Sequence, residues 1–237
     1  MAPRPAGAHD ARVRRKAQPV SRRQAAKWSA DDRELMRADK VIRMLMEEHG
    51  PIDPEIDRRG SRPDPWEALA RAIVGQQLST RAARSIWEKL VGQFDGKLPK
   101  PEELLRKRRQ TLRKAGLSNA KVEFLRDLAA RVKDGRLDLM RLGELPDEDV
   151  IAALIEVKGV GQWTAEMFLI FHLGRPDVVS VGDLGIRRAV QIAYGMKELP
   201  GPEELEKLAE PWRPHRTLAC LYLWRSLDAT PVESAAK

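Results

Sequence analysis

Apolar residues recur at three- and four-residue intervals along almost the whole chain, and Gly and Pro cut this pattern into short blocks. Such spacing builds helices with one buried stripe. No block has the sustained two-residue alternation of a half-buried strand, so the pattern predicts an all-α protein. Ser29 followed by Asp32 marks a helix start, after which Leu35, Ile42 and Leu45 can share one face. Pro65, favourable in a first turn, opens a helix over 65–74. Further helices are expected over 79–93, 101–115, 119–134, 147–158, 162–173, 184–194, 202–210 and 214–227.

The junction between two of these blocks is unusual. Asp147, Glu148 and Asp149 put negative charge in a first helical turn, where the helix dipole favours it, and Val150, Leu154 and Val157 form the buried stripe. Gly159 stops that helix, Val160 and Gly161 allow a tight turn, and Trp163, Met167 and Ile170 give the next helix its inward face. The expected product is a glycine hairpin between two helices. A hairpin of this kind presents backbone N–H groups at a helix N-terminus and can hold a phosphate without a lysine.

Charge makes that possibility matter. The 237 residues carry a formal +8, but residues 1–27 hold eight basic side chains against Asp10 alone, which leaves about +1 for the remainder. The segment 1–28 is rich in Ala, Pro and Arg without apolar periodicity, and is expected to be a disordered basic tail preceding a folded region at 29–237. It is either a solvated tail or an arm attracted to phosphates without regard to sequence. A nucleic-acid grip in the folded region would need a device other than bulk positive charge.

Composition excludes several other chemistries. Cys220 is the single cysteine, which removes intrachain disulfides, a four-thiolate iron–sulfur cluster and zinc sites built on paired cysteines. His9, His49, His172 and His215 are too scattered to suggest a transition-metal site. No apolar run approaches the ~20 residues of a membrane span, and the charged N-terminus lacks the apolar stretch of a signal peptide. The expectation is a soluble intracellular protein, cytoplasmic or nucleoid-associated, with no membrane partner.

The stretch GVGQWTAE at 159–166, followed by VGDLGIRR at 181–188, resembles the helix-hairpin-helix DNA glycosylase superfamily, and within it the DNA-3-methyladenine glycosylase II group. Similar features stand at 64–83 (DPWEALARAIVGQQLSTRAA), 116–129 (GLSNAKVEFLRDLA) and 212–224 (WRPHRTLACLYLW), so the resemblance spans about residues 30–227. It implies two helical subdomains with a cleft between them, flanked by the hairpin at about 147–173, and leaves the β-rich N-terminal domain of some members without a counterpart in this sequence. It also implies a monofunctional glycosylase that flips alkylated purines, 3-methyladenine and 7-methylguanine, out of duplex DNA and leaves an abasic site. The alternatives are a glycosylase of the same fold for uracil or oxidised bases, and a non-catalytic helix-hairpin-helix DNA-binding module.

The resemblance assigns residues as well. From the residues alone, Asp183 before LGIRRAV is a good helix N-cap, and Ser180 offers a second capping pattern; by resemblance Asp183 is the catalytic carboxylate. Trp163 occupies the place of the Schiff-base lysine of bifunctional relatives, and the nearby amine, Lys158, sits at a helix C-terminus where it suits the dipole. Gly159, Val160, Gly161 and Thr164 fall on the DNA-binding hairpin, and Gln77 matches the wedge residue, although a relative uses leucine there. Trp163, Met167, Trp224 and Trp66 are the expected base-pocket residues; Met167 stands where a relative has tyrosine, and Trp224 could also be an ordinary core aromatic. The carbonyls of Ile155, Val157 and Val160 are the implied ligands of a Na+ or K+ ion, with no required cofactor. The expected partner is double-stranded DNA, bound by a monomer.

Overall fold

The computed structural model describes residues 28–52 and 64–228, and every regular element among them is helical. The basic stretch 1–27 lies outside the described residues. Trp28, which the expected tail included, instead belongs to the folded body, buried in the same core as Leu35 and Trp212. No helix among the described residues is long and apolar enough to cross a membrane.

Most helix starts follow from their caps. Helix α1, Ala30–Ala38, opens with a capping box in which the Ser29 hydroxyl accepts the Asp32 N–H and the Asp32 carboxylate accepts the Ser29 N–H. The single face expected through Leu45 is broken at Asp39, whose extended backbone ends α1 and whose carboxylate caps α2, Lys40–His49. Asp64 caps α3, Pro65–Gly75, and Ser79 caps α4, Thr80–Val91. The helix expected over 101–115 is two pieces, α5 (Pro101–Arg106) and α6 (Arg109–Arg113). Between them the Arg126 guanidinium donates to the Leu105 and Lys107 carbonyls at 2.9 and 3.2 Å, satisfying acceptors that a continuous helix would have used.

Arg126 lies on α7, Asn119–Lys133, which leads to α8, Asp147–Ile155. Beyond the hairpin, α9 is only Gln162–Met167 and runs on as a π-helix over Phe168–Leu173, ending at Gly174 with φ 72°. The chain closes with α10 (Leu184–Ala193), α11 (Pro202–Ala209) and α12 (Arg216–Asp228).

These helices bury two cores. One contains Leu69, Leu90, Leu125, Leu154 and Leu169 from α3 to the π-helix; the other contains Leu35, Ile42, Ile186, Trp212 and Tyr222 from the two chain ends. Full burial of each such side chain is worth roughly 1.5–3 kcal/mol, so each lobe has its own stabilising centre. Phe171 and Trp224 pack against both cores, with ring centroids 5.7 Å apart. The π-helix thus delivers Phe171 to the seam, where it supports Trp224.

Candidate active site

Asp183 lies at this seam. Its Oδ1 accepts the Ile186 N–H at 2.7 Å, so the capping role read from the sequence is real. The same oxygen accepts the Trp224 indole N–H at 3.0 Å, and Oδ2 accepts the Trp163 indole N–H at 2.7 Å. Three donors from two lobes therefore fix the orientation of one carboxylate. Ser180 does not cap α10; its buried hydroxyl donates to Glu166, while its carbonyl accepts the Asp183 N–H at 3.0 Å.

Two of the three expected pocket tryptophans, Trp163 and Trp224, meet at Asp183, but through their N–H edges. Trp163 remains 47% exposed and Trp224 is half-buried against Phe171. Leu184, 66% exposed and next in sequence to Asp183, adds an open apolar wall. Gly185 was not anticipated as a site residue. A Cβ there would lie 2.9 Å from Asp183 Oδ1 and 3.4 Å from the Trp224 ring, so a side chain at this position would press on the carboxylate–indole contact. The available sequence signal was a glycine in a helix's first turn with no turn geometry to serve.

The hairpin has the expected form. Gly159 adopts φ 79°, and a Cβ at that position would lie 2.2 Å from the Phe124 ring, so both its backbone conformation and its underside exclude other residues. Gly159 and Gly161 are exposed, whereas Val160 is buried in the first core. The turn is held by the Val160 N–H donating to the Val157 carbonyl at 3.0 Å, and by the Lys158 N–H donating to Asp127 at 2.9 Å. Burial alone would raise the Asp127 pKa, but that hydrogen bond and Arg131 outweigh it and hold the carboxyl below its usual range. The hairpin is therefore anchored through charge at its back while its front is bare backbone.

Gln77 stands on an exposed loop with φ 58°, a left-handed conformation that costs a non-glycine residue about 1 kcal/mol or more. Its neighbours hold it there. The Gln76 side-chain amide donates to the Gly159 carbonyl at 2.7 Å, and the Lys121 ammonium donates to the Val74 and Gln76 carbonyls at 2.8 and 2.7 Å. The loop and the hairpin thus form one continuous face. Gln76, Lys121 and Phe124 were not recognised as its supports, because their contacts span 35 or more residues of sequence.

Besides Val160, whose side chain is buried, three expected site residues are placed elsewhere or inward. Trp66 is in the first core, donates its indole N–H to the Pro99 carbonyl at 2.9 Å, and lines a cavity of about 780 Å³ with Arg71, Trp87 and Met140 rather than with Asp183. Its α3 position points it away from the seam, which periodicity alone could not reveal. The Thr164 side chain is buried at 5% exposure, leaving only its backbone for the hairpin face. Met167 is half-buried against the first core. Cys220 is wholly buried in the second core, with its thiol pushed up to about 12 by burial, and acts as a packing residue.

The sequence profile of the HhH-GPD superfamily base excision DNA repair proteins matches residues 70–214. A DNA-3-methyladenine glycosidase from Bacillus halodurans has a solved structure that superposes with TM-score 0.76 at 38% identity, covering 85% of this chain and 90% of that one. The Schizosaccharomyces pombe 3-methyladenine DNA glycosylase Mag1, solved in complex with abasic DNA, gives TM-score 0.76 at 30% identity over 84% of this chain and 97% of that one. A Bacillus subtilis relative, 31% identical over 169 residues and 69% of this chain, is longer, and the match spans 59% of it. With the hairpin at 159–161 and Asp183 both inside the matched region, this chain belongs to the HhH-GPD superfamily of base excision DNA repair proteins.

Proposed function

We propose that this protein is a monofunctional DNA glycosylase that excises alkylated purines, 3-methyladenine and 7-methylguanine foremost, from duplex DNA and leaves an abasic site. The observation that carries this reading is the Asp183 carboxylate gripped by the Trp163 and Trp224 indole N–H groups at the seam beside the hairpin. Breaking the N-glycosidic bond develops positive charge on the deoxyribose. A fixed carboxylate stabilises that charge and can orient or deprotonate the attacking water. An alkylated purine already carries positive charge and leaves with little acid assistance. Its cationic ring also suits an indole face, an attraction of roughly 0.5–2 kcal/mol.

The environment gives no comparable support to a Schiff-base mechanism. Trp163 supplies only an N–H to Asp183, and the Lys121 ammonium is committed to two backbone carbonyls. DNA would dock on the hairpin face, where the Gly159 and Gly161 N–H groups have no acceptor among the described residues, and Gln77 would fill the gap left by the flipped nucleotide. The hairpin carbonyls fit an alkali cation: those of Ile155 and Val160 accept no hydrogen bond among the described residues, and that of Val157 accepts one. A Na+ or K+ ion held there would supply positive charge for a DNA phosphate. Within this reading the protein acts as an intracellular monomer.

Incubation with methylated duplex DNA, followed by identification of the released bases, tests the proposal. The expected result is free 3-methyladenine and 7-methylguanine, a strand intact until heat or base is added, and no borohydride-trapped adduct. Efficient trapping, or preferential release of uracil or 8-oxoguanine, would overturn it. Lesion-blind binding without release would favour a DNA-binding module.

A further inference from the structure

Glu166 is only 4% exposed on a helix whose neighbouring residues Ala165, Phe168, Leu169 and Ile170 are buried and apolar, and it has no cationic partner among the described residues. Burying a carboxylate without a counter-charge is costly, and an apolar side chain of similar size would normally serve packing better. Its hydrogen bonds are specific. Oε2 accepts the hydroxyl of Ser180, itself wholly buried, at 2.5 Å, and Oε1 accepts the Gln162 amide at 3.1 Å.

The arrangement is a two-point clasp. Trp163 and Glu166 are three residues apart on α9 and share a helix face. Ser180 and Asp183 are three apart on the facing loop, which is closed by the Asp183 N–H donating to the Ser180 carbonyl. The contacts pair 163 with 183 at the exposed end and 166 with 180 at the buried end. An indole–carboxylate bond whose indole is 47% exposed competes with water. A hydrogen bond in the dry interior does not.

We propose that the Glu166–Ser180 pair is a positioning device that fixes the register of the Asp183 loop against α9, and so holds the catalytic carboxylate on Trp163. The inference rests on Asp183 being the catalytic group. Neither Glu166 nor Ser180 touches the reacting atoms; both act through the loop backbone.

The test uses the full chain and methylated duplex DNA in single turnover at saturating enzyme, with the affinity for the same DNA measured in parallel. Ser180→Ala and Glu166→Leu should each lower the excision rate roughly 10- to 100-fold, as expected for misplacement on the ångström scale, with DNA affinity within about twofold of wild type. Glu166→Gln should stay within about threefold, because its amide oxygen can still accept the Ser180 hydroxyl. A merely structural role would not move the indole Nε1–H resonances of Trp163 and Trp224, assigned with Trp→Phe variants, whereas the clasp predicts that Ser180→Ala shifts the Trp163 signal in free protein. If Glu166→Leu does not fold, Ser180→Ala and Glu166→Gln decide the question. A wild-type rate and an unmoved Trp163 resonance in Ser180→Ala, alongside a dead Asp183→Asn variant, would overturn the clasp and leave Asp183 catalytic. Persistent excision by Asp183→Asn would instead overturn the assignment of Asp183, and the resonance shift would still report whether the clasp exists. Rate losses that only track the fraction of unfolded protein would also overturn it.

Discussion

Asp183 and Asp39 make nearly the same local structure. Each is a helix N-cap with extended backbone, and each accepts a tryptophan indole N–H across a long stretch of chain. Their surroundings differ. Asp39 accepts from Trp212, wholly buried, and from the Tyr194 hydroxyl at 2.6 Å, all within the second lobe. Asp183 accepts from Trp163, which is 47% exposed and belongs to the other lobe, two residues beyond the glycine hairpin. Capping therefore does not separate Asp39 from the proposed catalytic Asp183. What separates them is whether the remaining donors belong to one core or come from a half-exposed indole of the other lobe.

The sharpest way to break this comparison is to neutralise each carboxylate. Asp183→Asn should lower single-turnover excision by roughly 10²–10⁴-fold while changing unfolding free energy by no more than about 1 kcal/mol, because asparagine also caps helices. Near-wild-type base release by the folded variant would reduce Asp183 to the role that Asp39 plays. Asp39→Ala should show the reverse: a loss of about 2–4 kcal/mol of stability, from the missing cap and the stranded Trp212 and Tyr194 donors, with excision per folded molecule unchanged. Denaturant unfolding and active-site titration together measure both quantities.

Gly185→Ala sharpens the difference without touching a charge. Alanine within a helix normally adds about 0.5–1 kcal/mol of stability, but its Cβ would press on Asp183 Oδ1 and the Trp224 ring. Excision should fall roughly 10- to 100-fold while the melting temperature holds or rises. A variant that keeps full activity would show that the carboxylate tolerates displacement.

The smallest effect concerns acid. Burial would raise the Asp39 carboxyl pKa, but the hydrogen bonds from Tyr194, Trp212, Ile42 and Val41 outweigh it and hold the group below its ordinary value. The folded state then binds fewer protons than the unfolded chain. The resulting stability is present above the ordinary carboxylate pKa of about 3.9 and is lost as pH falls through the depressed folded value. Asp127 behind the hairpin behaves in the same direction. Unfolding measured from pH 7 down to pH 3 should show stability falling only at the acid end, with a shallower fall in Asp39→Asn. An unchanged slope would detach the acid response from this cap.

The sequence alone determined the features governed by neighbours a few residues apart. Apolar periodicity, the Ser29 and Asp64 caps and the acidic first turn at 147–149 specify helices because their hydrogen bonds close within one turn. The hairpin was legible because the left-handed backbone of Gly159 is a local requirement. Asp183 was legible as a cap from its own segment, and as a candidate catalyst only through the resemblance of GVGQWTAE and VGDLGIRR to a known family. Only the tertiary structure decided the rest. The breaks at Asp39 and at 107–108 are imposed by Tyr194, Trp212 and Arg126, side chains remote in sequence that take over backbone or cap positions. Among the tryptophans, periodicity gives each an inward face but not a destination. Trp163 and Trp224 reach Asp183, whereas Trp66 reaches Pro99, because two separate cores pack the helices and only the seam between them brings indoles from both lobes to one carboxylate.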